Sequence, residues 1–93
     1  MPVPDSKSSD EQKEAWRRAR LLVGAAVRNE RLRAGLTQEA LALESGVTRN
    51  MLIHVEHGNR GVSFERIYDL AEALGIDAAA LMPPSDPASG EGR

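Results

Sequence analysis

Two histidines and a glutamate lie close together in the middle of the chain, at His54, Glu56 and His57. Imidazole and carboxylate groups bind zinc, but this spacing is a weak metal motif when no further convergent ligand is evident. The chain has no cysteine, which excludes disulfides, thiolate metal sites and cysteine nucleophiles. It also has no Walker-type phosphate loop and no nucleophile elbow. We therefore predict no metal site, no cofactor and no enzymatic activity.

The charged residues are unevenly distributed along the 93 residues, whose net charge is −2. Residues 1–14 hold two lysines and four acids, residues 15–63 hold eight arginines and four acids, and residues 64–93 hold two arginines and six acids. A basic middle between acidic ends is compatible with one surface that faces an anion. An ordinary solvated surface with uneven charge explains the same distribution equally well.

The length and hydropathy of the chain indicate one small domain in the cytoplasm. Ninety-three residues fit a single domain with tails. No apolar run approaches the ~18 residues that a membrane-spanning helix needs. The amino terminus lacks the apolar segment of a signal peptide, and the absence of cysteine fits a reducing compartment.

The apolar residues in the segment 15–27 recur at spacings of three and four, which predicts an amphipathic first helix. Ser9 can cap its start, and Gly35 can adopt the left-handed conformation that ends a helix. Gly24 lies inside this helix, where glycine costs about 1 kcal/mol relative to alanine. One long helix and two segments hinged near Gly24 both remain possible.

Four shorter helical elements are predicted to follow, each preceded by a residue suited to capping. The predicted caps are Thr37, Thr48, Ser63 and Asp77. The face expected to be buried on the fourth helix consists of Phe64, Ile67, Leu70, Ala71 and Leu74. The segments 1–9 and 83–93 are rich in small polar residues and proline, so we predict a disordered arm and a disordered tail. The sequence shows no β-strand alternation, and the predicted fold class is therefore all-α.

A glycine divides the second helix from the third, at Gly46 in the stretch "TQEALALESGVTRNMLIHVE". Two short helices pack at a steep angle when the turn allows a positive φ and a small residue lies at the crossing, here Ala42. Val47, Leu52 and Val55 would then bury the back of the second of these helices. This is the pattern of a helix-turn-helix over residues 37–57, in which the second helix enters the DNA major groove. A plain pair of packed helices in a bundle is the alternative.

The chain resembles the DNA-binding domains of the phage repressor and Cro type, also called the xenobiotic response element (XRE) family. The resemblance covers residues 22–81 and is clearest in "GLTQEALA", "SGVTRNMLIHVEHGNRG" and "LAEALGI". It implies a compact five-helix, lambda-repressor-like domain, here residues 10–82 with an amino-terminal helical extension. It also implies a transcriptional repressor that binds a palindromic double-stranded DNA operator as a homodimer.

The resemblance also assigns roles to individual residues. The positions that read bases match Arg49, Asn50, Met51 and His54. The positions that contact phosphates match Gln38, Thr48, Asn59, Arg60 and Ser63. Arginine can pair with guanine O6 and N7, and asparagine can pair with adenine, so the residue types suit these roles. Arg31 and Glu56 match a structural ion pair of the family.

Three features depart from the family pattern. Ile53 stands where a polar residue is usual, and we expect it to pack at the edge of the core. Val62 replaces a frequent proline. The extension 10–21 contains "WRRAR", whose arginines could reach the DNA backbone or whose Trp16 could anchor a dimer. We expect instead that Trp16 seals the core and that these arginines are solvated, because arginines are mostly exposed.

Two functional alternatives remain open after the resemblance is considered. The chain could be an antitoxin that binds a toxin and regulates its own promoter, in which case a toxin-like reading frame should lie next to its gene. A regulator that acts alone needs no such neighbour. In either case, we expect a dimer surface formed by the fourth helix with Leu81 and Met82.

Overall fold

The computed structural model of the protein describes residues 9–83 and contains four α-helices followed by one 3₁₀ turn. The helices are α1 (Ser9–Arg33), α2 (Gln38–Ser45), α3 (Arg49–Glu56) and α4 (Phe64–Leu74), and the turn is Ala78–Leu81. The described residues contain no β-strand, and the all-α class is confirmed. The fifth expected helix is this single turn. Apart from Ser9, which already belongs to α1, and Pro83, the predicted disordered segments lie outside the described residues.

Three of the predicted caps make the expected side-chain hydrogen bond. The Thr37 hydroxyl accepts from Ala40 N at 3.0 Å, the Thr48 hydroxyl from Met51 N at 3.1 Å, and the Ser63 hydroxyl from Arg66 N at 3.3 Å. Each bond satisfies a backbone N–H that has no partner within its helix. Asp77 makes no such bond to the 3₁₀ turn. Local sequence chemistry therefore determines where α2, α3 and α4 begin.

The core lies where all five elements meet. Its fully buried large side chains are Val27, Leu41, Leu52, Val55, Leu70 and Leu81. The expectation for Phe64 is wrong, because its side chain is 67% exposed. Phe64 is the first residue of α4, and its ring packs edge to face on Tyr68 with centroids 6.4 Å apart. Leu22, one of the regularly spaced apolar residues of segment 15–27 that predict the amphipathic first helix, is 51% exposed.

Helix α1 is continuous through Gly24, which settles the alternative between one helix and two. A Cβ atom at this position would collide with the carbonyl oxygen of Val55 and lie 2.8 Å from that of Glu56. Glycine is therefore needed where α1 crosses the end of α3 at close range, and it does not act as a hinge. This crossing fixes the rest of α1 relative to α3.

Candidate nucleic-acid interface

The turn between α2 and α3 has the geometry that the sequence predicts. Gly46 has φ of 78°, and its N–H donates to the Ala42 carbonyl at 3.0 Å. Ala42 and Val47 are buried at the crossing. On α3, Leu52 and Val55 are buried in the core. One side of α3 is thus fixed against the domain, which leaves its other side to face outward.

The outward side of α3 carries hydrogen-bonding side chains at its amino-terminal turn. Arg49 and Asn50 are both exposed, and His54, four residues after Asn50, is partly buried on the same side. Met51 is partly buried and packs against the core. The structure therefore brings Arg49, Asn50 and His54 together on one surface and places Met51 at its inner edge. Ile53 is partly buried beside them.

Two predicted phosphate-contacting residues lie at helix amino termini, where free backbone N–H groups favour anions. Thr48 caps α3, and its hydroxyl can still donate its proton because the cap uses only the oxygen as an acceptor. Gln38 is the first residue of α2, and its Nε2 donates to Glu56 Oε1 at 3.0 Å. The side chain of Gln38 is therefore held in one orientation by α3.

The remaining phosphate candidates lie between α3 and α4. Asn59 and Arg60 are exposed in this loop, and Ser63 caps α4 at its end. The loop begins at Gly58, which is buried and has φ of 74°. The Arg20 Nε donates to the Gly58 carbonyl at 3.3 Å. The loop is consequently attached to α1.

Arg31 and Glu56 form a buried, bidentate ion pair. Arg31 Nε donates to Glu56 Oε2 at 2.6 Å, and Nη2 donates to Oε1 at 3.0 Å. The two side chains are only 9% and 1% exposed. Arg31 Nη1 also donates to the Leu36 carbonyl at 2.9 Å, and Gln38 donates to the same carboxylate. The network therefore connects α1, α2 and the last residue of α3, at the opposite end of that helix from Arg49 and Asn50.

Sequence reasoning did not identify the contact between Gln38 and Glu56. The two residues are 18 positions apart, and neither periodicity nor capping relates them. The resemblance assigned them separate roles, a phosphate contact and an ion pair. The signal that could have revealed this contact is the placement of a glutamine as the first residue of α2 and a glutamate as the last residue of α3.

The amino-terminal part of α1 lies beside the α3–α4 loop. Trp16 is 54% exposed, so the expectation that it seals the core is wrong. It borders a shallow cleft of about 330 Å³, whose other lining residues include Arg20, Val23, Arg60 and Val62. The extension therefore meets the loop that holds two of the predicted phosphate contacts.

An exposed carboxylate in this extension binds two arginines. Arg17 Nη2 lies 3.0 Å from Glu14 Oε2, and Arg18 Nη1 lies 3.7 Å from the same oxygen. The hydrogen bond from Arg17 and its positive charge lower the pKa of Glu14. The same hydrogen bond raises the pKa of Arg17. Both groups therefore remain charged at neutral pH.

Residues 9–83 also bear on metal binding and on membrane insertion. No group of three or more histidine or carboxylate side chains in this part of the chain could hold a metal ion. None of its helices is both long and apolar enough to cross a membrane.

The chain is similar to several known proteins. The sequence profile of a family described as "Helix-turn-helix" matches residues 27–81. An uncharacterized HTH-type transcriptional regulator, y4dJ of Sinorhizobium fredii, is 37% identical over 67 residues, which are 72% of this chain and 87% of that protein. The control protein C.BamHI of Bacillus amyloliquefaciens is 38% identical over 64 residues, 68% of this chain and 79% of the relative.

The fold is also similar to those of solved structures of regulatory proteins. The restriction-modification controller protein C.AhdI of Aeromonas hydrophila is 40% identical and has a TM-score of 0.66, with 68% of this chain and 91% of that chain covered. A hypothetical transcription factor from Neisseria, NHTF, is 26% identical with a TM-score of 0.67. That match covers 96% of this chain and 88% of the other, so it includes the extension of α1.

Proposed function

We propose that α3 reads DNA sequence, because this chain belongs to the helix-turn-helix family of DNA-binding transcriptional regulators of the phage repressor and Cro type. In this role α3 enters the major groove of a specific double-stranded site. The observation that carries the proposal is the exposure of Arg49 and Asn50 on a helix whose opposite side is buried. Arg49 then pairs with a guanine and Asn50 with an adenine, since their donors and acceptors match those base edges.

The other predicted contacts are further base contacts from α3 and phosphate contacts that position this helix in the groove. His54, partly buried, lies one turn after Asn50 and reaches the next base pairs, while Met51 at the inner edge meets a thymine methyl group. Phosphate contacts come from residues near the amino termini of three helices and the loop, namely Gln38, Thr48, Asn59, Arg60 and Ser63. These contacts set the position of α3 without reading sequence. The Arg31–Glu56 pair keeps α2 and α3 in the required arrangement.

We infer that two copies bind a palindromic operator and repress transcription by occupying it. One module of this size makes few base contacts, and a two-fold pair doubles them on half-sites one helical turn apart. The expectation that Leu81 belongs to the pairing surface is wrong, because its side chain is buried in the core. Tyr68 of α4 and Met82 after it are exposed and apolar, and they support a pairing surface there. Such a regulator acts in the cytoplasm, where its operator is accessible. Control proteins among the relatives support a regulatory role by name.

The test uses the purified chain and fragments of the DNA upstream of its own gene, measured by fluorescence anisotropy at two salt concentrations. We expect one fragment to bind with steep salt dependence. The double variant Arg49→Ala/Asn50→Ala should lose the preference for this fragment and keep weak binding to all DNA. The matched control is Asn29→Ala/Arg33→Ala, which removes the same two residue types from an exposed side of α1.

The outcomes separate DNA reading from the alternatives. The control variant should bind like the unmodified protein. If the Arg49 and Asn50 variant keeps its preference, then α3 does not read the site. If no fragment binds better than random DNA, the proposal fails for this promoter, and an antitoxin that acts through a bound toxin becomes the better explanation.

A further inference from the structure

We propose that the extension of α1 contacts DNA phosphates beside the operator, so that each bound chain also holds flanking DNA of any sequence. The proposal rests on the proposed function, because it places the extension next to a loop that contacts phosphates. The residues that carry it are Lys13, to which the sequence assigned no role, and Arg17, whose contact with the DNA backbone the sequence left as an alternative. The ligand is the sugar–phosphate backbone of the duplex that α3 reads.

Three of the four cationic residues of the extension lie in one row along α1, and Arg18 lies to the side of it. Lys13, Arg17, Arg20 and Gly24 are separated by four, three and four residues, which places them on one side of a helix with 3.6 residues per turn. Gly24 faces the carbonyl groups at the end of α3, and Arg20 binds the carbonyl of Gly58. The row therefore runs along the side of α1 that faces α3 and its following loop.

Lys13 and Arg17 extend this row beyond the domain core. Both are exposed, and towards the amino terminus Arg17 lies one turn and Lys13 two turns from Arg20. From Arg20 to Lys13 the row spans about 10 Å, at roughly 1.5 Å per residue. One DNA strand carries a phosphate about every 3.4 Å of helix axis, so the row matches about three phosphates.

The charge of this surface favours an anionic partner. The extension 10–21 contains four cations and three carboxylates, and all four cations but only the carboxylate of Glu14 lie within residues 13–20. Arg60 adds a fifth positive charge across the cleft that Trp16 and Arg20 also line. The bond from Glu14 to Arg17 is an exposed pair within one helix, and such pairs are weak enough to exchange for a phosphate.

The geometry of α1 holds this surface in place before DNA binds. The helix is continuous from Ser9 to Arg33, and its packing at Gly24 and its bond to Gly58 fix it against α3 and the loop. If Asn59 and Arg60 contact the backbone as proposed, the row of Lys13 and Arg17 continues from that point. The extension then needs no folding step to reach the flanking phosphates.

The first test measures the salt dependence of binding for Arg17→Gln. Each phosphate contact contributes about 0.9 to the slope of log affinity against log salt concentration. We expect Arg17→Gln to reduce the slope by about 1 per bound chain. The matched control is Arg33→Gln, since Arg33 is also exposed on α1 and pairs with a carboxylate three residues earlier, Glu30. Arg33 lies about 160° around the helix from Arg17, and its variant should keep the full slope.

The second test uses Trp16, the only tryptophan in the chain, as a reporter beside Arg17. Its half-exposed ring should be quenched by iodide in the free protein. On an operator fragment with flanking base pairs of arbitrary sequence, DNA should shield Trp16 and reduce this quenching. On a fragment trimmed to the base pairs that α3 and the loop cover, quenching should stay high. Exchanging the flanking sequence at constant length should change neither result.

The results distinguish this proposal from the proposed function. An unaltered slope for Arg17→Gln, or equal quenching on the long and trimmed fragments, overturns the flanking contact while leaving groove reading by Arg49 intact. A reduced slope for Arg17→Gln on every fragment, without preference for any, supports the backbone contact and counts against sequence reading. Absence of DNA binding overturns both.

Discussion

Glu56 connects three helices through one carboxylate, which distinguishes it from the exposed acids of the chain. It accepts two hydrogen bonds from Arg31 and one from Gln38, and its side chain is 1% exposed. A buried pair of this kind adds little net stability because removing both charges from water is costly. Its effect is to define how α1, α2 and α3 are arranged. Removing one partner, however, leaves the other as a buried charge without compensation.

We therefore predict a large loss of stability for Glu56→Ala. The free energy of unfolding should fall by about 3–5 kcal/mol, because Arg31 would keep only the Leu36 carbonyl as a partner. Urea unfolding followed by circular dichroism measures this change. The control is Asp69→Ala, which removes the exposed partner of Arg66, a pair worth roughly 0–1 kcal/mol. A loss for Glu56→Ala no larger than that of the control would contradict a structural role for the pair.

Among the helices, the close packing of α1 on α3 depends on Gly24, which has no side chain. Gly24 is one of the buried residues of α1, and the carbonyl oxygens of Val55 and Glu56 occupy the space that a Cβ atom would need. These oxygens belong to backbone that cannot shift without moving α3. At this position helix propensity therefore favours alanine, whereas packing requires glycine.

We predict that Gly24→Ala destabilises the protein although alanine favours helices. Propensity alone predicts a gain of about 1 kcal/mol. Overpacking typically costs about 1–3 kcal/mol, so the net free energy of unfolding should decrease. Ala25→Gly, at the exposed neighbouring position, should lower it by about 1 kcal/mol through propensity alone. A higher urea midpoint for Gly24→Ala would show that the crossing tolerates a side chain.

These elements show which parts of the fold the sequence predicts. The caps at Thr37, Thr48 and Ser63 were predictable because capping depends on residues within one turn. The role of Gly24 was not, because its reason lies in a contact with residues 31 and 32 positions away. The exposure of Phe64 was missed for a related reason, since periodicity does not say where a helix first reaches the core.

At the scale of the whole molecule, charge distribution matters more than net charge. The chain carries −2 overall, yet residues 15–63 hold eight arginines, and the surface formed by the extension and the loop is basic. Charged surfaces act over about 10 Å at moderate salt, so a local patch can bind an anion in spite of an acidic total. The sequence predicted the basic segment. It could not show that Trp16 and Arg60 border one cleft, because that requires the path of the loop after Gly58.

The salt dependence of binding should also reveal whether two copies act together. If each copy makes the same phosphate contacts, the slope on a full palindrome should be twice the slope on a single half-site. Affinity for the full site should exceed that for the half-site by about a hundredfold or more, because the second copy binds within the same complex. Inserting roughly five base pairs between the half-sites turns them to opposite faces of the duplex and should lower affinity to the half-site value. Equal slopes on the full site and the half-site, measured by fluorescence anisotropy, would mean that one chain binds alone.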